Sequence, residues 1–389
     1  MKKKIFISFL AYSTLLFCQA FKNPPESSSA LSQAGAFVAQ SNDASAINFN
    51  PAGLIQIEGG EFMFGFNFPY VKTDYIYSSG KEGKKFNFTA LPYFYFLPDI
   101  KKEKFKFGIG LNFPYGQSTE WSKDIVRYWQ YEVPYYSGMQ TGNLISAFSF
   151  KLSPEFSIGF GLNLYYSRLI LKNLIFINPP GIETSGKMNL DGEGYGGSIG
   201  LLYKKNKFAT GLTYKTKFKI NYDGKSEIYG VGSNDAEMEI NFPDILSFGI
   251  AFYPKENFKI EFDGEYYGFS SIDKIYINPG FSPPYEMEKN WKNVYNFYLG
   301  TEYRKNENLK LRGGIARLTS PIPEETWEPG LPDANTTIIA LGTEIKTKIG
   351  KIDITLLNSF PEKIKKEGKY EGTYKSRGFF LAIGYKKEL

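Results

Sequence analysis

Hydrophobic side chains occupy every second position along much of the chain from about residue 60 to residue 389. In the segment from Lys104 to Phe113, the odd-numbered positions carry Phe, Ile and Leu, whereas the even-numbered positions carry Lys, Gly and Asn. Successive side chains of a β-strand point to opposite faces, so this segment predicts a strand with one apolar face and one polar face. The same alternation recurs near residues 156–164, 258–263, 337–345 and 379–385.

About fourteen segments of this kind can be counted. Several run well past ten residues, whereas the strands of a secreted β-sandwich average about five or six residues. Long strands with an aromatic outer face and a small or charged inner face are typical of bacterial outer-membrane barrels. We therefore expect an all-β fold, a fourteen-stranded antiparallel transmembrane β-barrel, over residues 59–389. The predicted strands lie near residues 60–78, 84–97, 104–113, 140–152, 155–176, 187–204, 206–220, 237–253, 257–277, 291–304, 308–318, 335–347, 350–360 and 376–388.

The connections between these strands are of two lengths. Short ones at residues 204–206, 254–257 and 305–308 are predicted to be periplasmic turns, because such barrels combine short periplasmic turns with longer extracellular loops. The long segments are expected to face the outside of the cell. They are Pro114–Gln140, Asn178–Lys187, Asp223–Ala236, Asn278–Asn290 and Thr319–Ala334.

The first twenty residues have the features of an export signal. Three lysines at positions 2–4 precede an apolar run from Ile5 to Phe17, and Ala20 supplies a small residue for cleavage. We expect a signal peptide over residues 1–20. A membrane anchor would need an apolar run of roughly 20 residues. A lipoprotein signal around Cys18 would need a small residue where Phe17 stands.

Composition narrows the function classes. Loss of the three signal lysines would lower the formal net charge from +6 to +3, which is too mild to suggest a nucleic-acid partner. The chain contains 29 Tyr, 35 Phe and 4 Trp, yet its mean hydropathy is only -0.31. This balance is expected of a barrel with aromatic girdles and a polar interior. The chain has no histidine, which excludes histidine-dependent barrel hydrolases. We expect no enzymatic activity, no metal and no cofactor.

The segment Phe21–Glu58 precedes the first predicted strand and lacks sustained alternation. It is rich in Ser, Ala, Asn and Gly, so a disordered periplasmic tail is one interpretation. Its apolar residues and the turn-forming sequence Asn50-Pro51-Ala52-Gly53-Leu54 favour a second interpretation, a compact plug inside the barrel. A bore of about fourteen strands would leak unless something filled it. We name residues 21–58 the hatch.

Several motifs resemble one known family. The stretch Ser41–Leu54, with the sequence SNDASAINFNPAGL, is similar to the hatch signature of the FadL/TodX (OMPP1) family of outer-membrane hydrophobic-compound transporters. Each further motif is weak alone, but together they follow the family's order over nearly the whole chain after the signal. These motifs lie at Pro114–Trp121, Phe242–Asp244, Phe269–Ser271, Gly313–Ile315, Ser320–Pro323 and Leu331–Ala334.

The resemblance implies passive uptake of long-chain fatty acids or other hydrophobic compounds by a fourteen-stranded barrel with an N-terminal hatch. It implies binding in the lumen, hatch movement and lateral release into the membrane. Outer-membrane lipid, lipopolysaccharide and the barrel assembly machinery are the expected partners, and we expect a monomer. A general diffusion porin for small polar solutes is the alternative, and it would need an open lumen.

Lateral release requires an interruption in the hydrogen-bonded wall. Gly108 and Gly110 weaken the third predicted strand, and Pro114 removes a backbone donor just after it. A second interpretation is that Pro114 merely ends the strand at the rim. The family resemblance places a kink in the third strand, so we predict a lateral gate at these three residues.

A carboxylated ligand needs a cation in its pocket, because an unpaired carboxylate is costly to remove from water. The resemblance places Arg168 and Lys292 at basic positions of the family's binding site. Each could instead form a structural ion pair, since barrel lumens contain many charges. We predict both as ligand contacts.

Overall fold

The computed structural model describes residues 20–85, 88–177 and 181–389, so most of the predicted signal peptide, residues 1–19, lies outside the described residues. The strands are β1 (Glu61–Tyr77), β2 (Gly80–Gly83), β3 (Leu91–Leu97), β4 (Phe105–Glu120), β5 (Tyr136–Lys151), β6 (Phe156–Ile177), β7 (Ile182–Lys205), β8 (Phe208–Lys215), β9 (Phe218–Ile228), β10 (Gly232–Phe242), β11 (Ile245–Lys255), β12 (Phe258–Tyr267), β13 (Lys274–Asn278), β14 (Tyr285–Glu288), β15 (Val294–Asn306), β16 (Leu309–Leu318), β17 (Thr336–Lys346), β18 (Lys351–Pro361), β19 (Ile364–Lys366) and β20 (Gly372–Glu388).

Helices are few and short. The α-helices are α1 (Ser28–Leu31), α2 (Ala46–Phe49) and α3 (Lys123–Tyr128), and 3₁₀ turns cover Pro51–Gln56, Phe269–Ser271, Glu324–Thr326 and Gly368–Tyr370. Within the described ranges, no helix has both the length and the apolar character required to cross a bilayer.

All of the strands belong to one antiparallel sheet that closes on itself. β1 pairs with β20 from Glu61↔Glu388 to Ile76↔Thr373, which joins the first wall strand to the last. Six pairs of segments are consecutive parts of one wall strand: β2 with β3, β8 with β9, β10 with β11, β12 with β13, β14 with β15, and β18 with β19. Counted in this way, the wall has fourteen strands, and the predicted barrel is confirmed.

The alternation in the sequence corresponds to the two faces of the wall. On β6, Phe160, Leu162 and Leu164 are exposed on the outer surface, whereas their neighbours Gly161 and Asn163 are buried on the inner face. The same division holds on β12, where Phe262 is exposed and Glu261 is fully buried. The exterior is therefore apolar, and the charged positions of the pattern lie inside.

Several strands continue into segments that were predicted to be loops. β6 and β7 stay paired from Phe156↔Tyr203 to Ile177↔Ile182, which takes β7 well into the predicted loop Asn178–Lys187. Similarly, β9 and β10 form a hairpin across the predicted loop Asp223–Ala236. These extensions have polar residues on both faces, because they rise above the membrane, so the apolar alternation does not mark them.

The hatch residues lie within the lumen and are almost entirely buried. Barrel carboxylates accept hydrogen bonds from hatch amides: residues 37 and 38 donate to Asp263 Oδ2 over 2.7 and 2.9 Å, and residues 39 and 40 donate to Glu261 Oε1 over 2.7 and 3.0 Å. Lys259 Nζ lies 2.7 Å from the other oxygen of Glu261. The charged inner face of β12 therefore serves as a docking strip for the hatch backbone.

The hatch motif at residues 50–54 packs against β5, β6 and β7. Asn50 Oδ1 accepts from the amide of Ala52 over 3.2 Å, and Asn50 Nδ2 donates to the carbonyl of Leu201 over 3.1 Å. The carbonyl of Ala52 accepts from the hydroxyls of Ser149 and Ser157. Gly53 is required sterically, since a Cβ there would lie 2.2 Å from the carbonyl oxygen of residue 41.

Candidate ligand-binding site

A cavity of about 160 Å³ lies between the inner faces of β5, β6, β10 and β13 and the segment 328–331. Most of its lining is apolar. Toward the outer end of the barrel, the inward-facing positions of these strands carry aliphatic and sulfur-containing side chains. Farther inside, the inward-facing positions of β12 carry charged side chains. The apolar lining consists of Phe21, Pro134, Met139, Leu169, Leu171, Met238, Ile240, Ile275, Ile277, Met287, Trp291 and Leu331.

Methionine contributes strongly to this lining. Three of the six methionines in the chain, Met139, Met238 and Met287, border the cavity. An unbranched thioether adapts to ligands of different shape at little cost. The cavity is therefore suited to apolar compounds whose shapes vary.

One buried cation borders the cavity. Lys289 is 6 % exposed, and its Nζ lies 2.9 Å from Glu328 Oε1, whose side chain is one-third exposed. Two hydrogen bonds hold the main chain of Lys289. Its amide donates to the carbonyl of Asp273, and its carbonyl accepts from Thr326 Oγ1. Nearby, Trp291 Nε1 is buried without a hydrogen-bond partner among the described residues. The cavity thus pairs apolar walls with a cation and an unused donor.

Phe21 forms the inner end of the cavity. Its ring lies 5.2 Å from that of Phe242 and 5.5 Å from that of Trp291, measured between centroids. Tyr115 and Phe269 complete the surrounding aromatic cluster at 6.0 and 6.5 Å. Beneath Phe21 lies a smaller cavity of about 50 Å³ whose mixed lining includes the charged residues Lys22, Glu26, Lys215 and Glu265.

The wall next to Phe21 is interrupted. β3 pairs with β4 only over three residues, from Phe94↔Leu111 to Phe96↔Ile109, although β4 continues to Glu120 along β5. Within the described ranges, the β4 edge from Asn112 to Glu120 therefore has no pairing with β3. We name this edge the β4 gap. Pro114 lies inside β4, at a register shift between Asn112 and Tyr115, and does not end the strand.

The N-terminal hatch residues occupy part of the β4 gap. The amide of Asn23 donates to the carbonyl of Pro114 over 2.8 Å, and the amide of Gly116 donates to the carbonyl of Phe21 over 2.8 Å. Asn23 Nδ2 also donates to the carbonyl of Phe113 over 2.6 Å. The same segment thus provides the inner end of the cavity and the cover of the unpaired wall edge.

Lys84 and Lys85 span the outer end of the β4 gap. The amide of Lys84 donates to Thr73 of β1 over 2.9 Å, and its Nζ donates to the carbonyl of Ser118 of β4 over 3.1 Å. The amide of Lys85 donates to the carbonyl of Glu120 over 2.9 Å. Lys84 lies in the connection after β2, and burial lowers the pKa of its side chain to about 7.

Two of the predicted gate glycines face the hatch. A Cβ on Gly108 would lie 2.7 Å from Ile47 Cδ1, and one on Gly110 would lie 2.6 Å from Tyr95 Cδ1. Both glycines are in regular register with β5. The structure therefore gives them a packing role beside Ile47, below the β4 gap, and places only Pro114 at the gap itself.

The two predicted ligand contacts are not brought together, and neither lines the cavity. Arg168 is on the outer face of β6, because the inward positions are those of Ser167 and Leu169; its Nε lies 3.9 Å from Asp191. Lys292 is exposed in the connection between β14 and β15, where its amide donates to the carbonyl of Pro321. Lys289, three residues earlier, is the cation that borders the cavity.

Among the residues that the structure describes, no cluster of three or more Asp, Glu, Cys or His side chains could hold a metal ion.

Residues 9–386 match the sequence profile of the family described as Outer membrane protein transport protein (OMPP1/FadL/TodX). The chain belongs to this family. It resembles the long-chain fatty acid transport protein of Escherichia coli K12, with 23% identity over 440 residues that cover 99% of this chain and 97% of the relative.

Solved members of the OMPP1/FadL/TodX family share the fold. A FadL homologue of Pseudomonas aeruginosa superposes with a TM-score of 0.85 at 16% identity, covering 95% of this chain and 99% of its own. The toluene transporter TodX of Pseudomonas putida superposes with a TM-score of 0.77 at 16% identity, covering 95% of this chain and 100% of its own. As a member of this family, the chain is a transport protein of the bacterial outer membrane.

Proposed function

We propose that the protein is a passive uptake channel for long-chain fatty acids or other hydrophobic compounds, with release sideways into the membrane. The observation that carries the proposal is the apolar cavity with one buried cation, closed at its inner end by Phe21. By their descriptions, the relative from Escherichia coli transports long-chain fatty acids and TodX of Pseudomonas putida transports toluene. Both compounds are apolar enough to partition into such a cavity.

Capture begins at an open groove on the outer side of the protein. This groove has a volume of about 680 Å³ and lies between the β6–β7 and β9–β10 hairpins. Tyr229 and Val231 expose apolar surface there, and Lys172, Lys187 and Glu227 give the lining a net positive charge. An apolar ligand with an anionic head group matches this combination.

Transfer to the cavity places the ligand against Phe21. A ligand chain longer than the cavity must displace the Phe21 ring, because the aromatic cluster around it is closely packed. Moving Phe21 disturbs the bonds that its segment makes to Pro114 and Gly116, and the β4 gap then loses its cover. Ligand binding is thus coupled to opening of the wall.

Lateral release is favoured over passage straight through the lumen by the polarity of the two routes. Below Phe21 the ligand would meet the charged side chains of Lys215 and Glu265 in the smaller cavity, followed by the buried charges of the hatch interface. Arg312 there forms ion pairs with Glu302 and Glu344 at 2.7 and 2.9 Å. Apolar solutes do not displace such groups cheaply, since a buried charge needs its partners.

The cation Lys289 indicates how a carboxylate would be held. A fatty-acid head group would replace Glu328 as the partner of Lys289 Nζ, and Trp291 Nε1 would supply a second donor. Neutral hydrocarbons need neither contact. This proposal assigns to Lys289 the part that the sequence suggested for Arg168 and Lys292.

The other expected partners of the protein follow from its location in the outer membrane. Outer-membrane lipid and lipopolysaccharide surround the apolar exterior, the barrel assembly machinery inserts the chain, and the protein acts as a monomer without a cofactor and without enzymatic activity. A general diffusion porin is less consistent with hatch residues that pack against the wall on all sides.

The test has two parts. Lipid extracted from the purified protein, identified by mass spectrometry, gives the class of ligand. Binding of palmitate and of hexadecane is then compared for Lys289→Met, Glu328→Gln, Arg168→Met and Lys292→Met. We expect Lys289→Met to weaken palmitate binding about tenfold, since a charge-assisted bond contributes roughly 1.5–3 kcal/mol.

Three outcomes separate the assignments. Glu328→Gln should strengthen palmitate binding, because it frees Lys289, and hexadecane should bind alike to every variant. A loss of palmitate binding confined to Arg168→Met or Lys292→Met would assign the ligand site to those residues. If no variant binds either compound and the purified protein yields no lipid, the proposal of a hydrophobic ligand fails.

A further inference from the structure

A group of cations is exposed on the outer face of the wall where β1, β19 and β20 adjoin. Lys72 of β1 is paired directly with Arg377 of β20, and both side chains point away from the lumen. Lys375 follows on β20 with the same orientation, and Lys365 lies on β19 beside Thr373. Like charges directly opposite each other on one sheet face destabilise the pair unless an anion compensates for them.

The height of this patch on the barrel is defined by its neighbours. Below it, the outward positions of β1 are Phe64, Phe66 and Tyr70, and those of β20 are Phe379 and Ile383, all well exposed. Tyr70 pairs with Phe379 one step below the Lys72↔Arg377 pair. The cations therefore follow immediately after the outer end of the apolar belt, at the level of the lipid head groups in the outer leaflet.

Three other outward cations on the upper wall have carboxylate partners. Lys219 lies 2.8 Å from Glu239, Arg317 contacts Glu362, and Arg168 lies near Asp191. The β1–β19–β20 patch differs from these pairs.

Within the described ranges, Lys365, Lys375 and Arg377 form no ion pair. Lys72 reaches only Asp74, at 3.6 Å, and Asp74 also contacts Lys81 at 3.1 Å. In the strand register Asp74 also lies opposite Lys375, so one carboxylate faces the four cations of the patch and most of their charge is uncompensated by the protein.

We propose that this patch binds the phosphate groups of a phosphorylated glycolipid of the outer leaflet. Arginine and lysine bind phosphate by charge-assisted hydrogen bonds, and an ordered lipid phosphate is the anion that this height on the wall offers. The acyl chains of the glycolipid lie along Tyr70 and Phe379 below. The inference rests on the outer-membrane location and on the strand direction, and it is independent of which compound is transported.

The test uses the full-length protein purified in a non-ionic detergent, with diphosphorylated lipid A as the probe. Lys72→Gln/Lys375→Gln/Arg377→Gln removes three cations from the patch. Arg168→Gln/Lys219→Gln/Arg317→Gln removes three cations that have carboxylate partners, so it makes the same change in net charge and is the matched control. Heat-modifiable migration on gels verifies that each variant is folded.

We expect the patch variant to bind lipid A at least about tenfold more weakly than the unmodified protein and the control variant to bind about as tightly as the unmodified protein. Enzymatically dephosphorylated lipid A should bind weakly to all three proteins, and millimolar inorganic phosphate should not compete. Equal affinity in the patch and unmodified proteins, equal loss in both variants, or competition by inorganic phosphate would each overturn the assignment to a glycolipid.

Discussion

The backbone amide of Gly116 donates a hydrogen bond to the carbonyl of Phe21 over 2.8 Å. Gly116 belongs to the β4 edge that lacks a partner in β3, and the ring of Phe21 ends the apolar cavity. One residue of the hatch is thus bonded to the wall through its main chain and exposed to the cavity through its side chain. In the proposed mechanism, a ligand in the cavity would act on the wall opening through this residue.

Replacement of Phe21 with Ala should loosen this segment. The change removes the aromatic contacts to Phe242 and Trp291, and a buried Phe→Ala change typically costs about 3–5 kcal/mol. We expect faster hydrogen exchange at Gly116 and Asn23, together with a larger single-channel conductance in planar bilayers. Phe66→Ala, on the exposed outer face of β1, is the control. Unchanged exchange and conductance in Phe21→Ala would mean that the ring does not hold the segment.

Replacement of Gly108 with Val should displace the hatch. The added Cβ would lie 2.7 Å from Ile47 Cδ1 and 3.2 Å from the carbonyl oxygen of Phe96, so the Ile47 side chain must move. We expect increased protease sensitivity around residue 47 and increased conductance in a barrel that still folds.

The control for Gly108→Val is Gly264→Val, because the nearest atom to a Cβ at Gly264 is 3.9 Å away. The sequence alone suggested instead that bulk at Gly108 would close a lateral gate. Uptake that is blocked while the hatch keeps its protease resistance would support that earlier interpretation and contradict the packing role.

Opening of the segment at Lys84 and Lys85, which spans the outer end of the β4 gap, should depend on pH. The folded pKa of Lys84, about 7, lies below the ordinary value of 10.5, so the open segment binds more protons than the closed one between these values. The closed form is therefore least stable below about pH 7, and it gains stability as the pH rises. Between about pH 7 and pH 9 we expect amide exchange at Lys84 and Lys85, corrected for its intrinsic rate, to slow by roughly tenfold per pH unit.

Lys84→Met is the control for this pH dependence, because it keeps the bulk of the side chain and removes the titration. The corrected exchange at Lys85 should then be independent of pH. A flat profile in the unmodified protein, or a slope that persists in Lys84→Met, would contradict the proposed role of the Lys84 proton.

The barrel was predictable because burial on one face imposes a period of two on every wall strand. Phe105 to Phe113 and Phe258 to Phe262 show this period in the sequence, and the structure has these residues facing outward. The upper extensions of β7 and β10 were missed because most of their residues are polar, so no apolar alternation marks them. The interpretation that Pro114 ends the strand is wrong, because the strand accommodates it at a register shift and continues. The gate at Pro114 stays a prediction.

The ligand site was less predictable, for two different reasons. Arg168 has the same parity as Phe160, Leu162 and Leu164, so the sequence already contained the signal that its side chain faces outward. Lys289 and Lys292 lie between β14 and β15, where the alternation is interrupted. The pattern of the flanking strands therefore does not tell which of the two side chains faces inward. Only the folded chain distinguishes the buried cation from the exposed one.

The most direct test uses a disulfide to fix the N-terminal hatch residues to β4. A Cβ at Gly116 lies 3.3 Å from Asn23 Nδ2, so Asn23→Cys/Gly116→Cys places two thiols within reach of a disulfide. The natural chain contains one cysteine, Cys18, in the predicted signal peptide. Uptake of radiolabelled palmitate is measured in oxidised and reduced cells, with the two single-cysteine variants as controls. The account predicts that the oxidised double variant binds palmitate but does not take it up, and that reduction restores uptake. Normal uptake by fully cross-linked protein would contradict it.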